Sequence, residues 1–441
     1  MNLDKQVSDY VATTGRSRAL HEEAARVMPG GNSRTTTFFD PYPYYLARGE
    51  GARLWDADGV ERIDFNGNYT SLILGHAPRQ VVKAVQQAAE HGVSFPGPTE
   101  HEVRLAEVLV NRLPSVEVLR FTNSGTEATL NAVRAARAFT GRTKIAKFEG
   151  AFHGTHDWVL VSVTPDLALA GDRRRPRPVA ASAGIPQEVV DSVVVLPWND
   201  PEACEAIFQE EGAHLAALLV DPLLGIGGII PPGPGFLDRL RALTDRFGVV
   251  LIFDEVISFR IAPGGAQERF GIRPDLTTLG KIIGGGLPVG AFGGRADIMG
   301  AYDPRKGGAR ISHGGTFNAN PLTMAAGVAT LGELTPAAYA RLDQLGERLR
   351  SGVRVLARRR GLDAQITGVG SLFCLHWTGT PLTDYRSSRP DHPTTPLAVF
   401  MGLLNEGIML TQRGMGACSL AMTDADADRF VDALERVIDG A

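Results

Sequence analysis

From about residue 80 the chain repeats one pattern: short, largely apolar runs alternate with helix-length segments. Val118 to Thr122, Lys144 to Phe148, Ala216 to Val220 and Val249 to Phe253 read as strands. Val81 to His91, Glu102 to Arg112, the segment from Asn123 to Phe139, and Gly235 to Phe247 read as helices. The strands are continuous apolar runs rather than alternating ones. A strand of that kind must be buried on both faces, which implies a mostly parallel sheet with helices packed against it, an α/β architecture.

The flanks read differently. Ser17 to Val27 has helical spacing and is stopped by Pro29-Gly30-Gly31. Tyr44-Tyr45-Leu46 and Arg53-Leu54-Trp55 read as a short antiparallel region, with Asp58-Gly59 as a hairpin turn. Beyond Asn320 a helical stretch leads to a second, amphipathic helix from Ala337 to Arg359. Strands near Gly370 to Leu375 and Ile408 to Leu410 and a final helix from Asp424 to Ile438 complete a smaller α+β unit. The expected division is a large domain over 66–325 and a small domain assembled from 1–65 and 326–441.

Composition narrows the function classes. A formal charge of −4 gives no global footprint for nucleic acid or an anionic membrane surface. The start is polar and nowhere do eighteen apolar residues run together, so the expectation is a soluble cytoplasmic protein with neither nucleic acid nor membrane as a partner. Cys204, Cys374 and Cys418 lack CxxC spacing and suggest neither a disulfide framework nor a metal site; each reads as a buried small hydrophobe. The 51 glycines follow no Gly-X-Y period, so their excess belongs in turns and close backbone approaches.

In an open parallel sheet, ligands bind beyond the carboxyl ends of the strands. Asn123-Ser124-Gly125-Thr126 joins a strand to a helix there. Its N–H groups and hydroxyls suit a phosphate, but such residues also serve as plain helix caps, with Thr126 and Glu127 one such pair. Asp254-Glu255 ends an apolar strand, and an acid so placed either caps a neighbouring helix or meets a cation such as a pyridinium nitrogen. Lys281 lies between apolar residues and Gly284-Gly285-Gly286. It reads either as a snorkelling surface lysine or as a poorly hydrated, nucleophilic amine. An anion cradle, a pyridinium partner and a Schiff-base lysine are together what pyridoxal 5′-phosphate requires.

These segments are recognisable. Phe121 to Ala128, Phe148 to Gly154, Ile252 to Val256, Pro274 to Lys281 and Gly315-Thr316-Phe317 resemble, in order, motifs of the class III aminotransferases among the fold-type I pyridoxal-phosphate enzymes. The nearest branch contains glutamate-1-semialdehyde aminomutase and β-phenylalanine aminotransferase, and the similarity runs from about Arg26 to the last helix. The resemblance implies that Lys281 carries the cofactor and shuttles a proton, and that Asp254 pairs with the pyridinium nitrogen. It places Val256 on one ring face and Phe152, where relatives usually have tyrosine, on the other. Ser124, Gly125 and Thr126 would hold the phosphate, with Thr316 reaching it from the partner subunit of a homodimer whose active site lies at the interface. His153 reads either as an orienting residue or as a structural one. Asp221 stands where the pattern usually has glutamate, and no catalytic role is assigned to it.

Within that branch, Asn32-Ser33-Arg34 and Tyr69 match the β-phenylalanine aminotransferase pattern, in which the arginine binds the substrate carboxylate. Arg413, in Gln412-Arg413-Gly414, matches an arginine for the α-carboxylate of an amino donor. The alternative for both arginines is a surface role. Gly284 to Gly290 and Asn320-Pro321-Leu322 read more like the aminomutase. The loop from Val163 to Pro186, with Arg173-Arg174-Arg175, does not, and reads either as a solvated loop or as a substrate-side lid. The expectation is amino transfer between a β-amino acid, aromatic in the leading case, and an α-keto acid by a ping-pong cycle. Aminomutase and racemase chemistry on the same scaffold are the alternatives.

Overall fold

The computed structural model describes residues 2–305 and 307–440. Among the described residues, seven strands form one sheet in the spatial order Val118–Thr122, Gly290–Gly294, Leu276–Gly280, Val250–Asp254, Leu215–Val220, Lys144–Phe148, Val193–Leu196. The pairings from Leu276–Gly280 outward to Val193–Leu196 are parallel. Gly290–Gly294 runs antiparallel to both its neighbours. The sheet is therefore mostly parallel, as expected.

The continuous apolar character of the strands has a direct cause. In Leu215–Val220, Ala217 and Leu219 face one core cluster while Leu218 and Val220 face another. The first core is closed by the helix Gly125–Thr140, through Ala128, Ala132 and Val133. The second is closed by Leu237, Leu240 and Leu243 of Phe236–Phe247 and by Phe208. Each buried leucine or phenylalanine of this kind contributes about 1.5–3 kcal/mol, so both faces of the sheet are committed to the interior.

Both ends of the chain meet outside this sheet. Leu46–Glu50, Arg53–Asp56 and Glu61–Asp64 form an antiparallel run, and Ile408–Met409 joins its edge in parallel. Asp58-Gly59 turns the chain between the second and third of these strands. Gln365–Thr367, Leu372–His376 and Met415–Ala417 form a third sheet. The helices Pro336–Arg360 and Asp424–Asp439 pack on each other, and Thr423 opens the latter with a capping box closed by Asp426. The N-terminal helix with Ser17 spans Gly15–Ala24, ending before the expected Val27; Ala25 bonds back to His21 and Glu23. All three cysteines are buried and free. No helix among the described residues is long and apolar enough to cross a membrane.

Candidate active site

A cavity of about 830 Å³ opens where the parallel strands end. It is lined by Ser124, Gly125 and Thr126 after Val118–Thr122, by Phe152, His153 and Gly154 after Lys144–Phe148, and by Asp221 after Leu215–Val220. Asp254 ends its own strand there, followed by Val256, and Lys281 follows Leu276–Gly280. Arg34, Asn68, Tyr69 and Arg413 close the other side. Every site residue singled out from the sequence is on this list except Thr316.

The two carboxylates of Asp254-Glu255 part company. Glu255 is fully buried and accepts from the N–H groups of Ala266 and Gln267 at 2.6 and 3.1 Å, capping the helix Gly265–Phe270. Burial pushes its carboxyl up to about 7. Asp254 instead faces the cavity, where it accepts from Thr278 Oγ1 at 3.0 Å and meets His153 Nδ1 at 2.8 Å. A carboxylate here only accepts, so His153 donates through Nδ1. Glu255 realises the capping reading of a strand-end acid, and Asp254 is left facing the cavity. Thr278 is a contact that sequence reasoning overlooks; the signal was a pair of threonines in a fully buried strand, where each hydroxyl requires a partner.

Lys281 is the first residue past its strand and adopts a left-handed backbone, φ +52°. Its Nζ has no hydrogen-bond partner among the described residues. Desolvation pushes the amine down to about 8, against an opposing pull from Asp221 and Asp254. Asp221 is itself buried and pushed up to about 6, first by desolvation and then by the like charge of Asp254. Its carboxylate closes a turn by accepting from Leu223 N at 3.2 Å and Gly225 N at 2.8 Å.

The anion cradle is built as a helix N-terminus. The cap of Gly125–Thr140 is Ser124, whose Oγ accepts from Glu127 N at 3.1 Å, not Thr126. Glu127 reaches back to Asn123 N at 2.6 Å. The N–H groups of Gly125 and Thr126 have no acceptor among the described residues, so two donors and the positive end of the helix dipole remain for a guest. A Cβ on Gly125 would lie 3.0 Å from Val256, and one on Gly154 would strike the Thr126 backbone at 2.7 Å. Glycine at both positions keeps the floor of the cradle open.

On the far side, Arg34 Nη1 donates to Asn68 Oδ1 at 2.8 Å and Tyr69 donates to Thr36 O at 2.7 Å. Arg34 and Arg413 have no acidic partner among the described residues. Tyr69 sits in an unusual segment. Gly67, Asn68, Tyr69 and Thr70 all have positive φ, between 49° and 73°, forming one left-handed turn. Left-handed helical backbone costs roughly 1–2 kcal/mol for each non-glycine residue, so tertiary contacts must hold it. Asn68 was not anticipated from the sequence, because nothing local marks an asparagine as the partner of an arginine 34 residues away.

Thr316 lies on the surface and does not line the cavity of its own chain, and neighbouring Phe317 is 59% exposed. The arginine run is committed elsewhere. Arg173 pairs with Asp384 at 2.7 Å, Arg174 with Asp200 at 2.9 Å, and Arg175 with Glu210 at 2.6 Å. Only Val163 and Thr164 of that loop reach the cavity wall.

Residues 38–438 match the family model for class III aminotransferases. The chain belongs to the class III aminotransferases. It is 43% identical to a glutamate-1-semialdehyde 2,1-aminomutase of Aquifex aeolicus, over 96% of this chain and 99% of the relative. It is 42% identical to the β-phenylalanine transaminase of Variovorax paradoxus, over 99% and 97%. The crystal structure of an omega-transaminase from Sphaerobacter thermophilus superposes with a TM-score of 0.93 at 48% identity, covering 96% of this chain and 97% of that one. The architecture is that of the fold-type I pyridoxal-phosphate enzymes, and the aminotransferase uses pyridoxal 5′-phosphate. The cavity suits that cofactor. It offers unpaired N–H donors for a phosphate, a buried carboxylate for a ring nitrogen, and a desolvated amine without a hydrogen-bond partner.

Proposed function

We propose that this aminotransferase moves an amino group between a β-amino acid and an α-keto acid by a ping-pong cycle. The observation that carries the reading is that Arg34 and Arg413 line the same cavity as Lys281 with no acidic partner among the described residues. Each guanidinium is free to take a carboxylate in a bidentate pair. Two such sites suit an enzyme that must hold a β-carboxylate in one half of its cycle and an α-carboxylate in the other. The apolar wall made by Phe38, Ile226, Leu287 and Met415 favours an aromatic or aliphatic side chain.

The cofactor supplies an electron-withdrawing ring that stabilises the charge developing on the substrate carbon. The remaining work falls to the chain. Asp254, held by His153 and Thr278, would keep the ring nitrogen protonated, and the first turn of Gly125–Thr140 would anchor the phosphate. Phe152 and Val256 would supply apolar contacts to the ring, the former without the hydrogen bond a tyrosine would add. Lys281 would hold the cofactor, and its Nζ would be the base that takes up and returns the proton of the substrate carbon. Thr316 serves the phosphate site of a second copy in a homodimer, which accords with its exposed position, with the exposed Phe317 beside it and with the exposed Val93, whose carbonyl accepts from Asn320.

A panel of β- and α-amino acids, followed by the cofactor's absorbance in single half-reactions, tests the assignment. A β-amino acid should convert the cofactor to its aminated form and release a keto acid. No half-reaction with any β-amino acid would overturn it. The resemblance to aminomutases supports a second reading, intramolecular amino transfer. Conversion of a semialdehyde with no added amino donor would establish that reading in its place. Loss of a substrate α-proton with no keto product would indicate a racemase.

A further inference from the structure

Arg260 follows Asp254 by six residues, in the single turn Ser258–Ile261, and is only 2% exposed. It has no carboxylate partner among the described residues. Its Nε donates to Ser371 Oγ at 3.1 Å, Nη1 to Thr70 O at 2.7 Å and Nη2 to Cys418 O at 2.6 Å. All three acceptors are neutral, and burial pushes the guanidinium down to about 10. A buried cation of this kind is a poorer stabiliser than a well-packed apolar side chain of similar size, so stability alone does not account for it. What it does is join three separate segments with one rigid, planar fork, which lysine cannot imitate.

We infer that Arg260 is a positioning residue for the substrate-carboxylate site, acting through the left-handed turn Gly67–Thr70. One end of that turn is held by Asp64, which accepts from Asn66 N and Gly67 N at 2.9 Å each. Its middle is held by Asn66 Oδ1, which accepts from Tyr69 N at 2.6 Å. Arg260 holds the other end at Thr70 O. The turn in turn presents Asn68 to the Arg34 guanidinium and Tyr69 to the carbonyl of Thr36. Releasing Thr70 lets four residues leave a disfavoured backbone region, and Arg34 loses the contact that aims it. The inference rests on Arg34 being the carboxylate site.

The test compares R260K with R350K. Arg350 is another buried arginine bonded to carbonyls, those of Gly370 and Leu372, and does not touch the turn. In the apo-protein, amide exchange over residues 66–72 should quicken roughly tenfold in R260K, the effect of losing one or two hydrogen bonds, and stay unchanged in R350K. In the holoenzyme, KM for the amino acid should rise about fivefold or more with kcat within about twofold, since uniform binding is what is lost. In an R34A background, R260K should add no further rise in KM. S371A keeps the guanidinium and removes one acceptor; it is the milder variant should R260K fail to fold, with roughly a third of the effect. Unchanged exchange, an equal effect of R350K, or a KM effect that adds fully to that of R34A would overturn the inference. An R34A enzyme with unchanged KM would instead overturn the carboxylate reading, leaving the exchange comparison to judge the tether alone.

Discussion

Lys281 shows how burial and neighbouring charge set the reactivity of one amine. With its amine pushed down to about 8, about a tenth is unprotonated at pH 7, against roughly three parts in ten thousand for an ordinary lysine. Only the unprotonated form attacks an aldehyde. The rate at which the apo-enzyme captures pyridoxal phosphate should therefore rise with pH and level off above about 8. Asp221 works against this, because its negative charge favours the ammonium form. The sign for D221N follows: removing the charge lowers the lysine further and moves the inflection to lower pH, by up to about one unit. Stopped-flow capture between pH 6 and 10 measures both curves, and an inflection near the ordinary lysine value in the wild-type chain would contradict the desolvation account. K281A should capture no cofactor covalently.

The helix Gly125–Thr140 divides two jobs among neighbouring residues of one N-terminus. Ser124 spends its oxygen on the N–H of Glu127, which leaves the N–H groups of Gly125 and Thr126 open to an anion. S124A should therefore cost about 1 kcal/mol of apo-protein stability, the usual loss of a cap, read as a lower urea midpoint, and should also weaken cofactor binding. Stability unchanged by S124A would mean the hydroxyl serves the phosphate alone. Elements of this kind were legible in advance. Val118–Thr122 and Lys144–Phe148 have the bounds their apolar runs suggest, because a strand buried on both faces leaves a dense signal. Gly290–Gly294 left none: three of its five residues are glycine, and their absent side chains let Ser124 O and Leu276 approach. The turn Gly67–Thr70 runs against local preference altogether. Asn68-Tyr69-Thr70 would not be placed in the left-handed region from propensity; among the contacts that hold it there, those of Asp64 and Asn66 come from near in sequence and that of Arg260 from far.

At the scale of the whole molecule, the cavity gathers residues from one end of the chain to the other, Arg34 to Arg413, around the carboxyl ends of the sheet. The segment near Tyr385 reaches back to this sheet: Arg386 pairs with Glu149 at 2.7 Å, and the Tyr385 side chain lies where a Cβ on Gly150 would sit, 2.5 Å away. That explains why motif residues around Lys281 were readable one segment at a time, while contacts between distant segments were not. One motif residue, Thr316, finds no place in its own cavity, and its proposed role makes a sharp demand on the assembly. If Thr316 serves the partner's phosphate site, a defect there and a defect at Lys281 fall in different sites when carried by different subunits. T316D would place a negative charge against the phosphate, and K281A removes the amine; each homodimer should be inactive or nearly so. In a hybrid of the two, one site holds both defects and the other holds neither. Random reassortment of equal amounts makes half the dimers hybrid, so about a quarter of all sites should recover full activity in a two-fold assembly. If Thr316 instead acted within its own chain, every site in the mixture would carry a defect, and mixing after mild dissociation would restore nothing.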